Sequence, residues 1–174
     1  MNKYIWLFAI AGWIISLSVH IFSLRGTDVN EIFSATWLLQ IGIIIVWIPA
    51  IFSLTKNQEL RDLKKTQNGY MVSPLLFFKT LFNKTPKLLL IIAIAGFLYA
   101  GINFLIFMTT HSGTPVIREG QYILQSHGRL IKSITENEYH LYRANELSGA
   151  SGHWIAFYGI AVALLYPHRK LQFA

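Results

Sequence analysis

A few polar side chains stand inside otherwise apolar stretches: Ser16, His20, Thr36, Gln40, Asn103 and His153, with His111 just past the end of one such stretch. Their types suggest definite chemistry. His20 with His153 could form the axial pair of a haem, and His20, His111 and His153 could together ligate a metal, since imidazole suits iron, copper and zinc. A quinone or a lipid headgroup would need only such a polar ring with aromatics such as Trp154 and Tyr158 beside it. The same residues equally suit plain hydrogen bonding between helices, each link giving on the order of 0.6 to 2 kcal/mol inside a bilayer. The bonding reading carries more weight, because no Asp or Glu lies within any apolar block to orient a metal-bound imidazole.

Depth gives these residues a common feature. Counted from the outer boundary of its helix, each of Ser16, His20, Gln40, Asn103 and His153 lies about four to eight residues in, all in the outer half, or roughly 6 to 12 Å deep at about 1.5 Å per residue. Polar groups at that depth in hydrocarbon are costly unless they face one another. The expectation is therefore a shared polar layer.

The elements that must position this layer are four uncharged blocks, Tyr4–Leu24, Phe33–Leu54, Leu88–Met108 and Leu147–Tyr166. Each approaches the roughly 20 residues that a bilayer core requires of a helix. The expected fold is an all-α integral membrane protein, a four-helix transmembrane bundle. A small extracytoplasmic cap, made of a β-hairpin and a helical extension of the fourth span, completes it. Small residues recur at helical spacing as Gly12 in the first span, Gly96 and Ala100 in the third, and Gly152, Ala156, Gly159 and Ala163 in the fourth. Such stripes let another helix's backbone approach closely.

Charge sets the orientation. Ten of the fifteen Lys and Arg fall on Lys3, the segment 55–87 and the tail Arg169–Lys170, against only Glu59 and Asp62. The segments 25–32 and 109–146 carry five basic residues against six acidic ones. The positive-inside rule then puts both termini in the cytoplasm of a bacterial-type inner membrane. The net charge of +7 is thus a topology signal with some attraction to anionic lipid, and no recognition motif supports nucleic acid. Cysteine is absent, which excludes disulfides, thiolate metal sites and thiol catalysis. The first block is too long for a signal peptide and lacks a small-residue cleavage site, so it reads as an uncleaved helix.

Between the spans the expectations are more local. Residues 1–54 form a helical hairpin, with a static bend predicted at Pro49. The basic loop 55–87 begins as a solvated segment with a turn at Asn68-Gly69. It continues as an interfacial helix at about 74–84, where Leu75, Phe78 and Phe82 can meet lipid. The third span is 88–108. In the cap, 109–146, Tyr122-Ile123-Leu124 and Leu130-Ile131 flank Ser126–Arg129 as a two-stranded hairpin, with Tyr139, Leu141 and Tyr142 as its contacts. Thr135 and Glu138 have the spacing of a capping box. The fourth span, 147–166, ends at Pro167, and 167–174 is a cytoplasmic tail.

His127 and His140 read as surface residues, and Ser148–His153 matches neither a phosphate loop nor a nucleophile elbow. Without a convincing titratable pair there is no case for hydrolysis or transfer. The expected role is non-enzymatic, that of an accessory, assembly or immunity-type subunit whose partners are the bilayer and another membrane protein or a second copy. The alternative is a cofactor- or ligand-binding protein using the polar layer.

Overall fold

The structure is a computed structural model and describes residues 3–66 and 73–167. It is 75% helical, with four helices long and apolar enough to cross a membrane and one small sheet. In chain order the helices are α1 (Lys3–Leu24), α2 (Val29–Ile32), α3 (Leu38–Thr55, preceded by a 3-10 turn at Ser34–Trp37), α4 (Gln58–Thr66), α5 (Pro74–Phe82), α6 (Lys87–Thr110) and α7 (Glu136–Leu164). Strands β1 (Thr114–Arg118), β2 (Gln121–Ser126) and β3 (Arg129–Ser133) lie between α6 and α7.

Helix α7 is the axis of the assembly. It packs against α1, α3 and α6, and α1 also packs against α3. In α7, 72% of the most apolar window is buried, against 17 to 28% in the other three long helices. This explains why α7 is the least apolar of the four. A helix surrounded by protein has no need of a continuous apolar exterior, so Ser148, Ser151 and Gly152 can sit where leucines would otherwise be required.

Close approach is visible along α6 and α7, which run antiparallel. A methyl group on Gly152 would lie 3.0 Å from Cγ of Asn103, one on Gly96 would lie 3.8 Å from Cα of Ala156, and one on Gly159 would lie 3.8 Å from Cα of Ala93. The two backbones approach closely at Gly96 and Gly159, while at Gly152 the Asn103 side chain fills the space against α7. Ala163 is fully buried at the far end of α7, whereas Ala100 is only half-buried.

The sheet differs from the expected hairpin. It has three antiparallel strands in the order β1-β2-β3, because Thr114–Arg118 pairs with Gln121–Gln125. Two-residue turns close both connections. Glu119 and Gly120 have φ of 53° and 74°, and His127 and Gly128 have 48° and 79°. Positive φ at both central positions is the type I′ geometry that twists with the strands, and glycine at the second position adopts it without a Cβ clash. The Tyr122 and Tyr139 rings meet at 5.2 Å with their planes tilted by 50°, and Lys132 lies 5.7 Å over the Tyr142 ring, so Tyr139 and Tyr142 both hold the sheet. Leu141 turns instead toward Gly26, in the connection after α1.

The other end of the bundle also departs from expectation. Residues 58–66, read as a solvated segment, form α4, which packs on α5 with Leu60 and Leu81 both buried. A 2.6 Å ion pair between Lys84 and Glu59 joins them, exposed and therefore worth at most about 1 kcal/mol. In α5 Leu75 and Phe78 are exposed, while Phe82 packs inward against the core. Pro49 lies within α3, but the backbone departs from helical angles at Ala35, ahead of it. The Asn68-Gly69 turn and the Arg169–Lys170 cluster lie outside the described residues.

Candidate functional site

One polar residue from each of α1, α3 and α6 reaches the same part of α7. His20 Nδ1 lies 2.8 Å from Ser151 Oγ, and Asn103 Nδ2 donates to the carbonyl of Ser148 at 3.0 Å. His153 Nε2 and Trp154 Nε1 both donate to Gln40 Oε1, at 3.0 and 2.8 Å. Every α7 partner falls between residues 148 and 154, a span of about 9 Å along the axis.

These bonds differ in kind. His20 (α1) bridges two helices, because Tyr99 of α6 hydrogen-bonds its Nε2 while Ser151 takes Nδ1. One set of directions satisfies the whole chain. The Tyr99 hydroxyl donates to Nε2, Nδ1–H donates to Ser151, and the Ser151 hydroxyl donates to the Leu147 carbonyl at 2.7 Å. Asn103 bonds backbone carbonyls whose second lone pairs are unused by the helix, a low-cost acceptor in a dry interior.

The expected histidine pairings do not form. His20 of α1 meets Ser151 while His153 of α7 meets Gln40, and positions two apart on a helix are separated by roughly 200°, so the two imidazoles lie on opposite sides of α7. They do not share an axial ligand position. His111 is at the end of α6, its backbone N–H capping onto Phe107 and its ring 4.6 Å from the Phe107 ring, away from both. The trio His20, His111 and His153 therefore does not converge.

Two further members of the expected layer go elsewhere. The Thr36 hydroxyl bonds Asn30 Oδ1 in the connection between α1 and α3. Ser16 is fully buried with no partner for its hydroxyl among the described residues.

The residue that organises the junction was named in the sequence only as an aromatic neighbour. Tyr158 is the largest fully buried side chain among the described residues, and its ring crosses from α7 between Gly12 of α1 and Gly42 of α3. Its hydroxyl donates to the Leu39 carbonyl at 2.8 Å. Gly42 was not among the expected packing residues; it stands alone in an isoleucine-rich run, and that isolation was the available signal. Trp6 and Trp47 add bonds to the carbonyls of Val162 and Phe157, at 3.1 and 3.2 Å. Side chains of α1, α3 and α6 thus all reach the backbone of α7, and Tyr158 of α7 reaches the backbone of α3 in return.

Near the sheet, the capping box forms in full. Thr135 Oγ1 accepts from the Glu138 N–H at 3.2 Å, and Glu138 accepts from the Thr135 N–H at 2.8 Å. The Tyr122 hydroxyl donates to Glu136 at 2.9 Å, and because ionisation would lose that bond, the phenol is held above its ordinary value.

Chemically, the layer is a set of paired donors and acceptors that fixes helix order. Its one serine–histidine contact, Ser151 Oγ with His20 Nδ1, is fully buried, and in the bond set above the hydroxyl donates to the Leu147 carbonyl and not to the imidazole. Comparison with protein-family models, with curated proteins and with solved structures finds no match for this chain.

Proposed function

We propose that this chain is a small polytopic membrane protein that acts without catalysis, through contacts made by its outward helix faces and its sheet, as an accessory, assembly or immunity-type subunit. The observation that carries this reading is the engagement of the polar layer. His20, Gln40, Asn103 and His153 each bond within the chain, so the groups best suited to hold a ligand already hold the bundle together.

What remains for recognition is the exterior. Helix α6 is buried over only 17% of its apolar window and presents Phe97, Ile102 and Leu105 outward. All of β3 is exposed, with Leu130 and Ile131 at 63% and 47%, and one edge of that strand has no neighbour in the sheet. Such an edge is a template for pairing with another chain. The segregation of basic residues supports the sheet lying outside a bacterial-type inner membrane, with α4, α5 and both termini on the cytoplasmic side.

The competing reading, a haem, metal or quinone held by the layer, would require His20 to leave Ser151 or Tyr99 and His153 to leave Gln40. Extraction in mild detergent followed by native mass measurement tests the proposal. Co-purification with a stoichiometric membrane partner or as a defined homo-oligomer is expected. A lone monomer with a Soret band would contradict it.

A further inference from the structure

Away from the polar layer, three side chains from two distant parts of the chain converge. Asp28 and Glu31 stand in the short connection between α1 and α3, and His140 is in the first turns of α7, 112 residues from Asp28. The imidazole Nδ1 lies 3.4 Å from Asp28 Oδ2 and 3.3 Å from Glu31 Oε2. All three ligand atoms lie within 4.8 Å of one another. We propose that this trio is a site for a divalent transition-metal ion of the zinc class, which fastens the α1–α3 connection to the polar end of α7.

Three observations support it. The first is distance. A charge-assisted hydrogen bond brings N and O to about 2.7 to 2.9 Å, and both contacts here are longer and nearly equal. A tetrahedral zinc with bonds of about 2.0 to 2.1 Å would hold its ligand atoms about 3.3 Å apart, which is how far Nδ1 of His140 stands from each of the two carboxylate oxygens. The second is charge. The Asp28 side chain is only 5% exposed, and a buried carboxylate requires a compensating cation. Glu31 brings a second negative charge to the same nitrogen, so even a protonated His140 would leave the trio at −1; a divalent ion corrects this deficit.

The third is preorganisation. Asp28 Oδ1 accepts from the Asn30 N–H at 3.1 Å, which orients the carboxylate and leaves Oδ2 facing His140. This is the outer support that metal-ligating carboxylates use. Glu31 is 62% exposed and His140 29%, so one side is open for ion entry and for a water as fourth ligand. The imidazole selects against calcium and magnesium, which prefer all-oxygen sites.

The test uses the full chain in mild detergent, without a histidine tag and stripped by a chelator. Titration with Co²⁺ followed by visible absorption, and then displacement by Zn²⁺, reads the site directly. One equivalent with ligand-field bands is expected. His140→Gln and Glu31→Gln should each weaken binding at least ~10-fold, while His127→Gln, in the β2–β3 turn, should leave it unchanged. Glu31 is exposed, so its variant keeps the test valid if substitution of Asp28 or His140 impairs folding. No cobalt spectrum, or equal affinity in wild type, His140→Gln and Glu31→Gln, would overturn the proposal.

Discussion

Tyr158 offers the sharpest quantitative test of the bundle, because its hydroxyl occupies the space that a side chain on Gly42 would need. A methyl at Gly42 would collide with that hydroxyl, whereas the next atoms, Tyr158 Cζ and Phe8 Cε1, are 3.3 and 3.7 Å away. Gly42→Ala should therefore cost about 1 to 3 kcal/mol, the usual range for overpacking. Tyr158→Phe loses the bond to the Leu39 carbonyl, about 0.6 to 1.7 kcal/mol for an interhelical hydrogen bond in a membrane protein. In the double variant the methyl fills the space left by the hydroxyl. Gly42→Ala should then cost under about 1 kcal/mol, giving a favourable coupling of roughly 1 to 2 kcal/mol between the two sites. Unfolding by SDS in mixed micelles, followed by the fluorescence of the five tryptophans, measures all four corners of the cycle. Additive losses, or a Gly42→Ala variant as stable as wild type, would refute the geometry of the junction.

Other perturbations probe other parts of the chain. Gly152→Ala forces a methyl to within 3.0 Å of Asn103 Cγ and should destabilise by about 1 to 3 kcal/mol in the same assay, with Asn103→Ala in the background relieving most of it. Thr135→Ala removes the cap of α7 and should cost about 0.5 to 2 kcal/mol, visible as faster amide exchange confined to the first turn of α7. Paired substitutions Leu130→Lys and Ile131→Lys on exposed β3 should leave stability within about 0.5 kcal/mol while dissociating the complex seen by native mass measurement.

Much of the framework could be read directly from the residues, for a simple reason. An uncharged block long enough to span a bilayer has few alternatives to a helix, and Tyr4–Leu24 differs from α1 by one residue. The capping box was equally legible, because Thr135 and Glu138 act within one turn. What could not be read were relations between helices. Gln40 and His153 are polar at similar depth, but whether His153 faces Gln40 or His20 depends on the rotation of α7, which the small-residue stripe does not fix. Helix α4 was hidden because Leu60 and Leu63 are its only apolar residues, too few to establish a period, and its burial comes from α5. Strand β1 was hidden by Pro115, which demotes a strand except at an edge, where β1 lies. The trio of Asp28, Glu31 and His140 escaped notice for a related reason. The shared side of segments 25–32 and 109–146 was legible from charge, but the contact between them was not.

The central proposal is that α1, α3 and α6 cross a membrane around α7, with the sheet on the outer face and α4–α5 on the inner. Because the chain has no cysteine, single cysteines at Gly120, in the β1–β2 turn, and at Lys65, in α4, can be probed in spheroplasts with a membrane-impermeant maleimide. Labelling of the Gly120→Cys protein in sealed spheroplasts, and of the Lys65→Cys protein only after permeabilisation, is the result predicted. Equal labelling of both before permeabilisation, or labelling of Lys65→Cys alone, would contradict it.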